Sequence, residues 1–176
     1  MQWQNNPVSV MQDKRKQIRL HNLQFHGALV DLTFMAKVVM AFGTFDFIHL
    51  GHVELFKQAK KLGDKLIVVI ARDSNVKRIK GKKPFFSQEE RLQLVNSLKS
   101  VDLAVLGNDK DFFTAVRKYK PAIVVLGYDQ NVLFESYIRK KLDEIGLKKT
   151  KVVRLKPFKH SKHKSKKLKK FYGLQN

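Results

Sequence analysis

Short apolar runs of four to six residues recur along this chain, and each hands over to a segment of helical period. That alternation leaves few folds open. Residues 38–42 (VVMAF) read as a strand buried on both faces, because a half-exposed strand alternates apolar with polar positions. Residues 50–62 then place Leu55, Phe56, Ala59 and Leu62 on one helical face, with Gly63 as a stop signal. Residues 66–71 (LIVVIA), 103–106, 123–126 and 151–155 are further strands. Ser87 with Glu90 forms a capping box that opens a helix carrying Leu92, Val95 and Leu98. Asp111 caps a short helix running to Tyr119, where Pro121 prevents continuation, and a helix over residues 132–145 ends at Gly146. Strands alternating with helices at this spacing imply right-handed crossovers, hence an α/β fold: a Rossmann-like, doubly wound parallel sheet of about five strands. Ligands in such sheets bind beyond the carboxyl ends of the strands, where strand order reverses.

Charge is the next constraint. The 36 Lys and Arg against 15 Asp and Glu give a formal charge of +21, which calls for an anionic partner. The excess is uneven, since residues 148–170 hold many lysines and no acid. No cysteine is present, which excludes a disulfide scaffold, a thiolate nucleophile and a zinc–thiolate site. No apolar run approaches the roughly 20 residues that span a bilayer, and the first residues lack the apolar centre of a signal peptide. No membrane association is expected, and the cytoplasm is the default location.

Chemistry is concentrated directly after the first strand, in GTFDFIHLGH at residues 43–52. Gly43 and Thr44 stand where the backbone must turn, and Gly51 lets a phosphate approach the backbone. A helix amino terminus supplies N–H groups and partial positive charge, a ready anion site. His49 and His52 then flank that anion as donors.

This stretch, with its HxGH pair, resembles the cytidylyltransferase-like nucleotidyltransferases. The likeness extends through VIARD at 69–73, VKRIKGKKP at 76–84, Glu90-Arg91, Val101-Asp102 and KPAIVVLGYDQ at 120–130, and is greatest to the archaeal FAD synthetases. It covers residues 37–156. The resemblance implies that His49 and His52 contact the triphosphate while an acceptor phosphate attacks the α-phosphorus in line, with no covalent enzyme intermediate. It implies that Lys80 and Lys82 reach over the phosphates from a mobile loop. It further implies nucleotide contacts at Gly43, Thr44, Phe45, Gly51, Arg91, Gly127, Asp129 and Ser165. Arg91 has an equally weighted alternative, a salt bridge with a first-turn acid. Asp129 is read as a nucleotide or metal contact, Asp46 as a holder of the turn and Asp73 as closing the strand end. Mg²⁺ or another divalent cation accompanies the triphosphate, and no residue is singled out as its ligand. A homodimer is the family expectation.

The ends depart from the family pattern. The usual serine/threonine doublet near the carboxyl end is missing, and lysines stand beside Ser161 and Ser165, of which Ser165 can cap a helix over residues 166–172. Residues 157–176 thus read either as a lysine-rich tail that completes the site or as a basic arm for nucleic acid. Residues 1–36 read as an extension, with Met35 a candidate initiator. Three functions follow: transfer of AMP from ATP to FMN giving FAD and pyrophosphate; a CTP-dependent cytidylyltransferase acting on glycerol 3-phosphate or a similar alcohol phosphate; and an inactive fold that binds nucleic acid through its tail.

Overall fold

The computed structural model describes residues 36–128 and 130–158. The extension over 1–35, Asp129, and the tail from residue 159, including Ser161 and Ser165, lie outside them.

Five parallel strands form one sheet: β1 (Val38–Gly43), β2 (Lys65–Ile70), β3 (Leu103–Leu106), β4 (Ile123–Leu126) and β5 (Lys151–Arg154), in spatial order β3-β2-β1-β4-β5. The chain lays down β1, β2 and β3 outward in one direction, then returns past β1 to add β4 and β5. Its crossovers therefore cover opposite faces. Helices α1 (Leu50–Lys60), α2 (Asp73–Lys80) and α3 (Gln88–Asn96) connect the first half; α4 (Thr114–Tyr119) and α5 (Val132–Glu144) connect the second.

The unbroken apolar strands serve both faces. Val39, Ala41, Leu66 and Val68 pack with Phe56 and Ala59 of α1 and Val95 of α3. Met40, Ile67, Val124 and Leu126 pack with Val116 of α4 and with Ile138 and Leu142 of α5. Neighbours in sequence thus face opposite cores, as period-two geometry requires. Each such side chain contributes roughly 1.5–3 kcal/mol by leaving water, so the sheet is a rigid mount for whatever stands at its carboxyl edge.

Most expected elements are present, with strands 103–106 and 123–126 at the same bounds. The capping box forms: Ser87 Oγ accepts from the Glu90 amide, and Glu90 Oε2 accepts from the Ser87 amide at 2.8 Å. Gly63 is not a left-handed helix stop, since α1 ends at a right-handed Lys61. A Cβ on Gly63 would stand 2.4 Å from the Lys37 carbonyl oxygen, so that glycine serves the close approach of the next strand. The expected mobile lysine loop is largely the helix α2, closed by a left-handed Gly81 at φ 74°. Lys77, Arg78 and Lys80 ride on that helix, and only Lys82 and Lys83 lie in the turn beyond it.

Candidate active site

Strand order reverses at β1, so a crevice opens between the ends of β1 and β4. A cavity of about 440 Å³ occupies it, lined by Gly43, Thr44, His52, Lys80, Lys82 and Gly127, among others. Residues from both halves of the fold meet there.

The turn after β1 is built around Phe45. Its φ of 51° is unusual for a residue with a side chain and costs of order 1–3 kcal/mol. The conformation folds the ring back into the core, leaving it 6% exposed beside Phe56, at 5.0 Å between centroids. Gly43 makes room for it, since a Cβ there would stand 2.6 Å from the ring. Phe45 also lines the cavity. It braces His52 edge-on at 5.3 Å.

His49 is the amino-terminal cap of α1, and its Nδ1 accepts from the Gly51 amide at 3.1 Å. An accepting Nδ1 puts the proton of a neutral imidazole on Nε2. The His49 carbonyl takes the amides of His52 and Val53. The amides expected to greet an anion are thus bonded within the turn itself, and the positive groups at this edge are side chains. The His49 and His52 rings stack at 3.9 Å. Of the two, His52 lines the cavity. Burial first, then the charge of His49, push the His52 imidazole down to about 3, against a hydrogen bond to the Phe47 backbone that raises it. Its Nδ1 is buried and meets no hydrogen-bond partner among the described residues. Such an orphaned atom costs stability, which points to a role outside folding.

Cations come from α2 and the following turn. Lys80 Nζ donates to Thr44 Oγ1 at 3.2 Å, and Lys82 and Lys83 line the same cavity. Asp46 is the one acid among the described lining residues. It is buried, and its Oδ1 accepts from the amides of Phe85 and Phe86 at 2.8 and 3.0 Å. It thereby anchors the far end of the lysine-bearing segment to the histidine turn, a holding role as expected.

Arg91 does not reach the cavity. It is wholly buried, and its guanidinium donates to the carbonyls of Phe86, Thr44 and Ala71 and to Asp73 Oδ1. Four of its five N–H donors are thus spent on the protein itself. Of the two alternatives the salt bridge holds, but with Asp73 in the first turn of α2 rather than with an acid of its own helix.

Two residues went unassigned. Gln130 lines the cavity, and its Oε1 accepts from the Gly127 amide at 3.0 Å. Arg154, at the end of β5, donates to the carbonyls of Gly127 and Gln130 and to Glu135. It fixes the loop after β4. A signal for Arg154 was its place at a strand's carboxyl end. Among the described residues no group of three or more His, Asp or Glu could hold a metal ion, and no helix is long and apolar enough to cross a membrane.

The profile of the cytidylyltransferase-like family matches residues 40–170. The FAD synthase of Thermoplasma acidophilum is 46% identical over 120 residues, covering 68% of this chain and 82% of that protein. The FAD synthase of Methanosarcina mazei is 50% identical over 117 residues, covering 66% and 75%. A crystal structure described as a lipopolysaccharide core biosynthesis protein from Thermoplasma volcanium superposes with a TM-score of 0.65 at 44% identity, covering 70% of this chain and 98% of that one. Pantoate-β-alanine ligase from Francisella tularensis has a TM-score of 0.53 at 16% identity, covering 83% and 74%, a likeness of fold alone.

Proposed function

The chain belongs to the cytidylyltransferase-like family, and on that premise we propose that it is an FMN adenylyltransferase, moving AMP from ATP to FMN with release of pyrophosphate. The observation that carries this reading is the 46–50% identity, across the folded body, to proteins named FAD synthase. The cavity chemistry supports it. An FMN phosphate oxygen attacks the α-phosphorus, the bond from that phosphorus to the bridging oxygen breaks, and pyrophosphate leaves with the electron pair.

The protein need supply no covalent group. It holds the two phosphates in line and offsets charge that grows on the leaving group. In this reading His52, backed by the stacked His49, donates to the β,γ-phosphates. Lys80 and Lys82 bring positive charge from the opposite wall. Thr44 and Gly43 form the floor beneath the α-phosphate. Gly127 and Gln130 bound the crevice on the β4 side, where Asp129 follows in sequence.

A divalent cation fits this site only as a companion of the nucleotide. The Asp46 carboxylate is engaged by two amides, and no cluster of protein ligands exists among the described residues. Brought in with the triphosphate, such a cation would supply positive charge against the departing pyrophosphate.

The test is incubation of the full chain with Mg²⁺ and FMN, with ATP or CTP, following FAD by chromatography and pyrophosphate by a coupled assay. FAD from ATP is expected. Turnover only with CTP and an alcohol phosphate such as glycerol 3-phosphate would overturn the reading.

A further inference from the structure

A second cavity, of about 260 Å³, adjoins the first and shares Phe42, Gly43, Thr44 and Gln130 with it. It lies on the other side of β1, over the ends of β2 and β3, where Ala71 and Gly107 contribute. Its walls differ in chemistry from those of the first cavity. Phe42 and Phe112 stack at 4.4 Å, Phe134 meets Phe112 edge-on at 5.9 Å, and Ile79 completes the apolar part. Ile79 is 76% exposed and Phe112 36% exposed, so neither is explained by the core. Arg78 and Lys110 stand in the lining as cations, Asn75 and Asn108 as amides, and Asp109 as an acid that is paired with Arg72.

In-line displacement assigns the occupant. The attacking oxygen must approach the α-phosphorus from the side opposite the leaving pyrophosphate. If His52, Lys80 and Lys82 hold the pyrophosphate in the first cavity with the α-phosphate over Gly43 and Thr44, the attacking phosphate comes from the second. We infer that this aromatic pocket is the acceptor site, that it takes the flat ring system of the flavin against Phe112 and Phe134, and that Phe112 determines acceptor specificity. The inference rests on the proposed FMN adenylylation. A flat polycyclic ring suits an aromatic wall, since stacked or edge-on rings gain attraction beyond area burial. A small polyol phosphate would leave those rings in water.

The test is steady-state kinetics of the full chain with FMN and ATP varied separately, for the unsubstituted protein, Phe112→Ala and Ile79→Ala. Circular dichroism checks the fold; Ile79, exposed on α2, is a substitution that folding tolerates. We expect the KM for FMN to rise tenfold or more in Phe112→Ala and severalfold in Ile79→Ala, with the KM for ATP within twofold. FMN fluorescence titration should show the same loss of affinity without turnover. A rise in the KM for ATP instead would make this the base pocket and overturn the inference, as would unchanged constants for both substrates, while FAD synthesis itself stood. Absence of FAD from the unsubstituted protein would overturn the function and with it the identity of the occupant.

Discussion

Lys80 Nζ lies 3.2 Å from Thr44 Oγ1, which joins the last turn of α2 to the end of the central strand across the mouth of the crevice. The contact holds a cation beside the floor on which the α-phosphate is proposed to rest. Replacing Lys80 with Ala should lower kcat by roughly ten- to a hundredfold, about 1.4–2.7 kcal/mol of transition-state stabilisation. Its melting temperature should stay close to that of the parent, because Lys80 is exposed. Steady-state kinetics beside a thermal melt checks both halves.

The two imidazoles act as a stacked pair, so each should matter although only His52 lines the cavity. His49→Ala and His52→Ala are each expected to reduce turnover by at least tenfold to a hundredfold. Loss in the His49 variant would come through the freed Gly51 amide and the unsupported ring of its neighbour. Pyrophosphate release under saturating substrates is the measurement, and undiminished turnover in either variant would remove the pair from the mechanism.

The His52 imidazole is held down at about 3, chiefly by burial. Its folded value lies below its unfolded value of about 6.5, so the unfolded chain takes up the proton first as pH falls. Stability is therefore undiminished above pH 6.5 and declines steadily below it until about pH 3. Between pH 7 and pH 5 this one group should cost about 2 kcal/mol. Urea denaturation at the two pH values should show that loss in the parent and a smaller one in His52→Asn.

Arg91 makes a different prediction from the histidines. Removing its guanidinium takes the ion-pair partner from Asp73, which keeps only the Gln88 amide, and the donor from three carbonyls at the core's edge. Breaking a buried pair from one side typically costs 3–5 kcal/mol. Arg91→Ala should lose stability on that scale in urea, whereas Arg91→Lys keeps the charge, loses the fork and should fall between. An Arg91→Ala protein with parental stability and a raised KM for ATP would restore the ligand role read from the sequence.

The sheet was legible because four apolar runs advertise strands buried on two faces, and the capping box at Ser87 announces its helix without tertiary help. Helix α2 was not legible. Its sequence DSNVKRIK buries Val76 alone, so no apolar stripe marks it, and its lysines suggested a loop. The site was legible as a position, since GTFDFIHLGH follows a buried strand. Side-chain direction within it was not. Phe45 turns inward through a left-handed backbone that sequence patterns do not encode, and Arg91 finds its acid 18 residues upstream through the fold.

The inward ring of Phe45 has a consequence for anyone who would redesign this enzyme. Positions 43 and 45 are not independent choices. Any side chain at 43 evicts the phenyl group, and a smaller residue at 45 hollows the support behind His52. Grafting the histidine motif onto another α/β scaffold therefore means transplanting the glycine and the phenylalanine together, along with a hydrophobic socket deep enough to receive the ring.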